Sequence, residues 1–508
     1  MRQGNYICDV GYTAGFYPQT APHWMAFSAL AAGCAAGGAL QPKRVFELGA
    51  GQGFGIALLA AANPDVYFEG CDFNSEHVAQ ARRFIADAGL QNAAVHEMDF
   101  AAAAQLAGDP DIDIVLAHGI VSWVAPDVQH QIVAFLKRRL RDDGVLYVSY
   151  NSAVAWAALS PIRDLILEIK RLGPGGSQAQ MAMALDWLQR LRRANAPLFA
   201  RNPAAAQHLD DMLALDPAYL AHEYLAGAAR PLNFAETASL LDGAGLRFAA
   251  SANPIENFDA LGVPAAALPL LAQTNDPVLR ETLRDFAANR FFRRDLFSRD
   301  IQLLTPDQQR EALEKFRFML AVPRTQLRLD FHGPAGPLTG AADLYGPLAD
   351  RLAEGAGFQD LARLPAFAGA PLERLLHCLV LLVDSRQVHA VPPSHHIDVA
   401  PARRFNTMVV EAARRGVVYS HLASPVSGTG LAVSDVDLLA LAAAADGVAL
   451  DPASLAQRSL AIIAALGRRP IRDGVAIADD TEATDFLAAP MQYIIAESLP
   501  LWRRLGLI

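Results

Sequence analysis

The stretch Val45-Phe46-Glu47-Leu48-Gly49-Ala50-Gly51-Gln52-Gly53-Phe54-Gly55 constrains this chain more than any other. A short apolar run ends in an acid and then in glycines at alternate positions. A helical pattern follows from Ile56 to Ala62. Strand, tight turn and helix in that order bring a parallel strand to a helix N-terminus, where free N–H groups and the positive dipole end can receive a ligand. The spacing is G-x-G-x-G and not the G-x-G-x-x-G of dinucleotide sites, so the turn alone is compatible with a nucleoside ligand without naming it.

The same alternation continues from 44 to 150. Strands are expected at Arg44–Leu48, Val66–Cys71, Ala94–Met98, Ile112–His118 and Val145–Tyr150, with helices between them at Ser75–Ala88 and Val128–Arg139. This predicts an α/β fold with a parallel sheet covered on both faces. A helix from about His23 leads in, after the aromatic turn Tyr12–Pro18. Pro161 to Leu225 is helical, and Asn233–Phe248 reads as a capped helix, a stop at Gly245 and a strand that returns to the sheet edge. Pro254 to Gln273 reads as a linker, and a strand is expected around Gln326–Phe331. A helical module from Gly340 ends in a hairpin of Leu379–Val383 and Val388–Val391, a winged-helix-like shape. The expected divisions are 1–155 (ligand-binding core and lead-in), 156–230 (helical insertion or cap), 231–300 (return to the core), 301–398 (middle domain) and 399–508 (mostly helical C-terminal domain).

Composition narrows the class. A chain of 508 residues, 52% hydrophobic, can bury several cores. A net charge of -10 argues against a nucleic-acid partner. Cys8, Cys34, Cys71 and Cys378 show no metal-ligand spacing, which suits reduced thiols in the cytoplasm. The opening Met-Arg-Gln-Gly-Asn-Tyr has no secretory pattern. Ala26 to Leu40 is apolar but short and glycine-broken, so no membrane insertion is expected. His389, His395, His396 and Asp398 form a proline-bounded group that reads as a surface loop, so no metal is expected.

Ligands of such sheets bind at the C-terminal strand ends. The first strand presents Glu47, Gly49, Ala50, Gly51 and Gly53 there. The second ends in Cys71-Asp72-Phe73-Asn74; Asp72 can accept both ribose hydroxyls, and Asn74 suits a helix N-cap. The third runs into Met98-Asp99-Phe100, an acid for an adenine amino group and a ring to flank the base. The fourth ends in His118-Gly119-Ile120-Val121-Ser122-Trp123 and the fifth in Ser149-Tyr150-Asn151-Ser152.

Val45–Gly53, with Asp72 and Asp99 at the next strand ends, resembles motif I and its partners in class I methyltransferases, which use S-adenosylmethionine (SAM). Tyr12-Thr-Ala-Gly-Phe-Tyr17-Pro, Gly51-Gln-Gly-Phe, Cys71-Asp-Phe-Asn74, His118–Trp123 and Gly144-Val-Leu-Tyr-Val-Ser-Tyr-Asn151, in that order, are similar to methyltransferases carrying a methyltransferase regulatory domain. Among these they look most like rickettsial-type lysine methyltransferases of outer-membrane proteins, over residues 10–300. The resemblance implies a Rossmann-like seven-stranded sheet. It implies SAM as cofactor, held by Glu47, Gly49, Ala50, Gly51, Gly53, Asp72, Phe73, Asp99, Phe100 and His118. It also implies a protein acceptor, an outer-membrane or surface protein, methylated on lysine by in-line attack; a homodimer is compatible with it. Tyr17, His118, Trp123, Tyr150 and Asn151 are then candidates for the methyl-transfer site, as aromatic walls for a methylammonium group and as hydroxyl or imidazole aids to proton loss.

One segment departs from the family. Where a Pro-Gly turn is usual beside the acceptor site, this chain has Ser152-Ala153-Val154-Ala155-Trp156. Two other readings therefore stand: a small-molecule or natural-product methyltransferase with the insertion as lid, and a SAM-binding regulatory protein without turnover. Tyr219-Leu-Ala-His222-Glu223-Tyr224 reads as a solvated helix face, with a place at the active-site mouth as the alternative that similar family segments imply. Phe291–Phe297 reads as an element packed under the insertion, with arginines that could face an acidic acceptor.

Overall fold

The computed structural model describes residues 15–391 and 396–508, so Cys8, Tyr12 to Ala14 and His395 lie outside the described residues. Helix α1 (Pro22–Ala31) precedes an alternating core: β1 (Arg44–Leu48), α2 (Phe54–Ala62), β2 (Tyr67–Asp72), α3 (Ser75–Asp87), β3 (Ala93–Glu97), α4 (Phe100–Ala103), β4 (Ile112–Ala117), α5 (Pro126–Arg139) and β5 (Leu140–Asn151). Six helices follow, α6 (Ala153–Trp156), α7 (Ser160–Leu172), α8 (Ser177–Arg193), α9 (Pro197–Ala200), α10 (Pro203–Leu213) and α11 (Pro217–Leu225). Then come α12 (Phe234–Asp242), β6 (Arg247–Ser251), α13 (Asp259–Gly262), α14 (Leu268–Leu271), α15 (Pro277–Ala288) and β7 (Phe292–Ser298).

These strands form one seven-stranded sheet in the order β3-β2-β1-β4-β5-β7-β6. Strands β1 to β5 are parallel, and β7 runs antiparallel between β5 and β6. This is the Rossmann-like sheet that the sequence resemblance implies. Side chains alternate across it. Val45, Ile114, Leu116 and Tyr147 enter the core shared with α1, α2 and the C-terminal half of the chain. Phe46, Leu48, Val115, Val148 and Tyr150 enter a second core under α5 and α12.

The second face carries a buried ionic cluster. Arg293 is 0% exposed. Its Nε donates to Asp295 at 2.7 Å and its Nη2 to Glu281 at 2.9 Å, and Asp285 takes the remaining nitrogen. The guanidinium also lies 4.4 Å from the Phe234 ring centroid. Helix α15 therefore buries charged residues, Glu281 and Asp285, and leaves Leu279 and Phe286 outside. Such a cluster is stable only while all its partners remain, because each buried charge needs its counter-charge.

The helical insertion has its own core, built on Trp156, Ile162, Ile166, Met181, Leu188, Leu209, Leu220 and Tyr224. It leaves and returns at one point: Ser152 bridges Leu232, and the Arg230 N–H donates to the Ser122 carbonyl at 2.7 Å. The capping box of Asn233 and Glu236 starts α12, as the sequence suggests.

Three expectations need correction. Pro254 to Gln273 is not a bare linker; short helices form there, and Ile255, Leu261 and Leu271 are buried. The remaining elements begin with α16 (Pro306–Glu314), β8 (Arg317–Leu320), β9 (Asp330–Gly333) and β10 (Gly336–Thr339). They continue with α17 (Ala342–Glu354), β11 (Ala356–Gly357), α18 (Phe358–Ala362), α19 (Leu372–Asp384) and β12 (Val388–Val391). Leu379–Val383 thus belongs to α19, where Leu375, Leu376, Leu379, Leu382 and Val383 recur at helical spacing and are buried. Strand β12 pairs with β8, which lies between β11 and β12. The strand expected around Gln326–Phe331 shrinks to β9, in a hairpin with β10, because Arg324–Gln326 is a 3-10 turn.

The C-terminal domain opens with α20 (Val399–Arg414) and the hairpin β13 (His421–Ser424) and β14 (Thr429–Ala432), and ends in helices. Helix α20 and this hairpin pack directly on α2. The histidine group does not form one loop: His389 is buried in β12, His396 pairs with Asp65 at 3.2 Å, and Asp398 caps α20. Cys34, Cys71 and Cys378 are buried free thiols. No described helix is long and apolar enough to cross a membrane.

Candidate active site

Gly49, Gly51 and Gly53 all have left-handed backbone, with φ of 74°, 53° and 74°. A Cβ on Gly49 would collide with Ile120 Cδ1, and one on Gly53 with Ala81 Cβ. A Cβ on Gly51 would meet nothing within 4 Å among the described residues. The outer glycines are therefore required by packing, and the middle one faces an open cleft. The N–H groups of Gly49 and Ala50 both donate to the Cys71 carbonyl at 2.9 Å, tying the turn to β2.

The acids at the strand ends have distinct surroundings. Asp72 is buried; its Oδ2 accepts from the Gly51 N–H at 2.9 Å and its Oδ1 from the Asn74 N–H at 2.8 Å. Asn74 caps α3 and Phe73 is half-buried beside it. Asp99 is exposed and caps α4 through the Ala102 N–H at 2.8 Å. The Phe100 ring comes within 3.8 Å of where a Gly49 Cβ would stand. Burial first, and the Asp72 charge second, push the Glu47 carboxyl up to about 8, so it is mostly protonated at neutral pH in the ligand-free protein.

Beside this turn lies an aromatic and polar wall. The Tyr17 ring stacks on His118, with centroids 3.8 Å apart and planes at 27°. His118 Nδ1 lies 2.9 Å from the Tyr147 hydroxyl and 3.2 Å from Ser149 Oγ, which also accepts from the Gly119 N–H at 2.8 Å. Burial, with Arg294 adding to it, lowers His118 to about 3. The ring is therefore neutral at physiological pH, and Tyr147 and Ser149 fix its orientation. Tyr17 is raised by burial and by Glu223 and Glu47, with Arg294 opposing. Burial and Glu223 also raise Tyr219 and Tyr224, and the Tyr219 hydroxyl bonds Glu223.

Tyr17, His118, Glu47 and the glycine turn thus come together. Asn151 ends β5 on the Tyr147 face, opposite Phe292 in the β5–β7 register. Trp123 is half-buried in the turn after β4, its N–H on the Ile120 carbonyl; among the described residues no ring contact joins it to the Tyr17–His118 stack. Tyr150 does not reach the site. Strand alternation turns it to the opposite face, where it is 0% exposed and its hydroxyl donates to Asp295 at 2.8 Å. Trp156 is buried in the insertion, stacked on Phe291 at 5.2 Å.

Tyr147 and Ser149 are site residues that the sequence reading does not single out, and Arg294, Tyr219 and Glu223 are ones it names only within longer segments. The first two share a face with Asn151 by simple alternation, a signal present in Tyr147-Val-Ser149-Tyr-Asn151. Arg294 follows because β7 sets it opposite Ser149, while Arg293 sits opposite Tyr150. The Tyr219–Tyr224 segment is not a solvated face: Leu220 and Ala221 are 0% exposed, and Glu223 acts on Tyr17.

Known proteins share this architecture. Residues 46–146 match the family described as methyltransferase domain, and residues 216–299 that described as predicted methyltransferase regulatory domain. Uncharacterized protein sll1526 of Synechocystis sp. is 30% identical over 512 residues, covering 99% of each chain. Uncharacterized protein RP789 of Rickettsia prowazekii is 23% identical over 289 residues, 56% of this chain and 51% of that one. The structure of PKMT2 from Rickettsia typhi in complex with AdoHcy matches with a TM-score of 0.70 at 17% identity, over 95% of this chain and 99% of that one, which shows the fold. The chain belongs, with its Synechocystis relative, to the class I SAM-dependent methyltransferases that carry a methyltransferase regulatory domain.

Proposed function

We propose that this protein transfers the methyl group of SAM to lysine side chains of a protein acceptor. The observation that carries the reading is the position of Glu223 among Tyr17, Tyr219 and Tyr224, with Tyr17 stacked on His118 at the glycine turn. A carboxylate near these hydroxyls attracts a cationic amine, and an aromatic wall retains a methylammonium group by cation–π contact. The likeness in fold to PKMT2 from Rickettsia typhi, solved in complex with AdoHcy, supports the cofactor part of the reading.

The residues present fit the cofactor. The open side of Gly51 leaves room for it, and Asp72 keeps unused lone pairs on both oxygens for ribose hydroxyls. Phe100 would flank the base, and Glu47 would face the cationic end. When bound, SAM supplies an electrophilic methyl group on a sulfonium whose charge disperses during transfer. The chain itself orients the acceptor and excludes water. Tyr147 and Ser149 hold His118 by Nδ1, so the ring keeps one orientation under Tyr17. The acceptor ammonium must lose a proton before attack, and Glu223 is the group in this wall able to take one, directly or through water.

Calorimetry with SAM, followed by incubation of tritium-methyl SAM with host lysate, tests the reading. Label in a protein band supports it. Label in an extractable small product would favour a small-molecule acceptor. Binding of SAM with no labelled product would favour a regulatory protein.

A further inference from the structure

The C-terminal domain touches the active site through two adjacent residues. Tyr17 has extended backbone, φ −120° and ψ 109°, and neighbouring side chains in extended chain point opposite ways. Tyr17 lies on His118. Phe16 points the other way, is 6% exposed, and meets His421 of β13 edge-on at 5.1 Å. Gly430 of β14 lies behind it; a Cβ there would stand 2.7 Å from Phe16 Cε1. The hairpin thus needs a residue without a side chain where Phe16 seats.

Two further contacts hold this hairpin in place. Gly428 has φ 63°, a Cβ there would collide with His23, and its carbonyl accepts from Asn63 Nδ2 at 2.9 Å. Phe54, the first residue of α2 after Gly53, stacks on Tyr419 at 4.8 Å and 12°, and lies 5.6 Å from Phe405 of α20. The same domain therefore grips the chain immediately before Tyr17 and immediately after the glycine turn.

We propose that the β13–β14 hairpin is a positioning element of the active site, filling the space behind Phe16 so that the Tyr17 ring is set on His118. Phe16, Gly430 and His421 act through Tyr17; none of them touches the reacting atoms. Residues 399–508 are then part of the catalytic unit. The proposal rests on Tyr17 and His118 as the methyl-transfer wall, but its test does not depend on any acceptor.

The test uses the full chain labelled with 13C-histidine, with the His118 signal identified by its loss in His118→Gln. The groups facing His118 are Tyr17, Tyr147, Ser149 and, by charge, Arg294. In the unaltered protein burial, with Arg294, holds His118 far below the ordinary histidine value, at about 3, so no titration is expected above pH 5. Gly430→Val forces Phe16 away, so Tyr17 should lift, water should reach His118, and its titration should move toward the ordinary histidine value near ~6.5. Phe16→Ala, which removes bulk instead of adding it, should act in the same way and carries the test if Gly430→Val does not fold. Phe16→Leu should restore most of the original titration. AdoHcy affinity should change by less than ~threefold, under about 1 kcal/mol. A folded variant, of either kind, in which His118 still does not titrate above pH 5 would overturn the proposal. So would loss of AdoHcy binding in step with the titration change, because it would mean general loosening. If the titration moves as expected and no acceptor is ever labelled, the lysine reading fails and the positioning role stands.

Discussion

The Tyr150 hydroxyl donates to Asp295 at 2.8 Å, on the face of the sheet opposite His118. Tyr147, three residues earlier on the same strand, holds His118 Nδ1 at 2.9 Å. Two tyrosines of one motif therefore have separate tasks. Tyr150→Phe should leave methyl transfer nearly unchanged and cost about 1 kcal/mol of stability, one hydrogen bond to a charged cluster, read from the urea midpoint. Tyr147→Phe should reduce turnover by about tenfold, because His118 loses one of the two hydroxyls that orient it.

Arg293 is more deeply buried than the other cation of the α15–β7 cluster, Arg290, which also pairs with Asp285; Glu281, Asp285 and Asp295 surround Arg293. Arg293→Met keeps much of the volume but leaves the buried Asp295 carboxylate without an ion-pair partner in the cluster, while Arg290 and Arg284 still pair with Asp285 and Glu281. Denaturant unfolding should show a loss of about 3–5 kcal/mol. A loss below about 1 kcal/mol would contradict the role given to this cluster.

Glu47 is protonated at neutral pH in the ligand-free protein, because burial and Asp72 raise it to about 8. A bound cation favours the carboxylate, so SAM binding at pH 7 should release roughly 0.9 proton, the fraction protonated one unit below the pKa. Calorimetry in two buffers of different ionisation enthalpy measures this, and Glu47→Gln should abolish it. SAM affinity should rise with pH and level off above about 8. The sign for folding is the reverse: a raised acid favours the folded ligand-free protein below its ordinary value of 4.5, and this contribution is lost as pH rises through about 8.

The glycines of the turn should separate folding from binding. Gly53→Ala meets Ala81 and requires left-handed backbone, so it should lower the melting temperature. Gly51→Ala meets no described residue and costs only about 1–2 kcal/mol of backbone strain. Its side chain points into the cleft, so SAM affinity should fall at least about tenfold, more than its effect on stability explains.

The glycine turn, the strand order and the acids at the strand ends were legible because each rests on local pattern. Strand β5 shows what local pattern loses. It is buried on both faces from Val145 to Asn151, so burial marks neither face as the site, and only strict alternation separates Tyr147 and Ser149 from Tyr150. Adjacent Arg293 and Arg294 have no local signal that separates a buried ion cluster from the active-site face; the register with β5 does that. Leu379–Val383 resembles a strand over five residues and a helix only over the longer span from Leu375. Glu223 reaches Tyr17 through the fold of the insertion, which no spacing within Tyr219–Tyr224 encodes.

The central claim is methyl transfer to lysine at the Tyr17–His118 wall, and acid hydrolysis of protein labelled with tritium-methyl SAM tests it most directly. The account predicts label in N-methyl-lysine, and at least about tenfold less of it with Tyr17→Ala while SAM affinity is retained. Label in another amino acid, or in a small product extracted before hydrolysis, would contradict it.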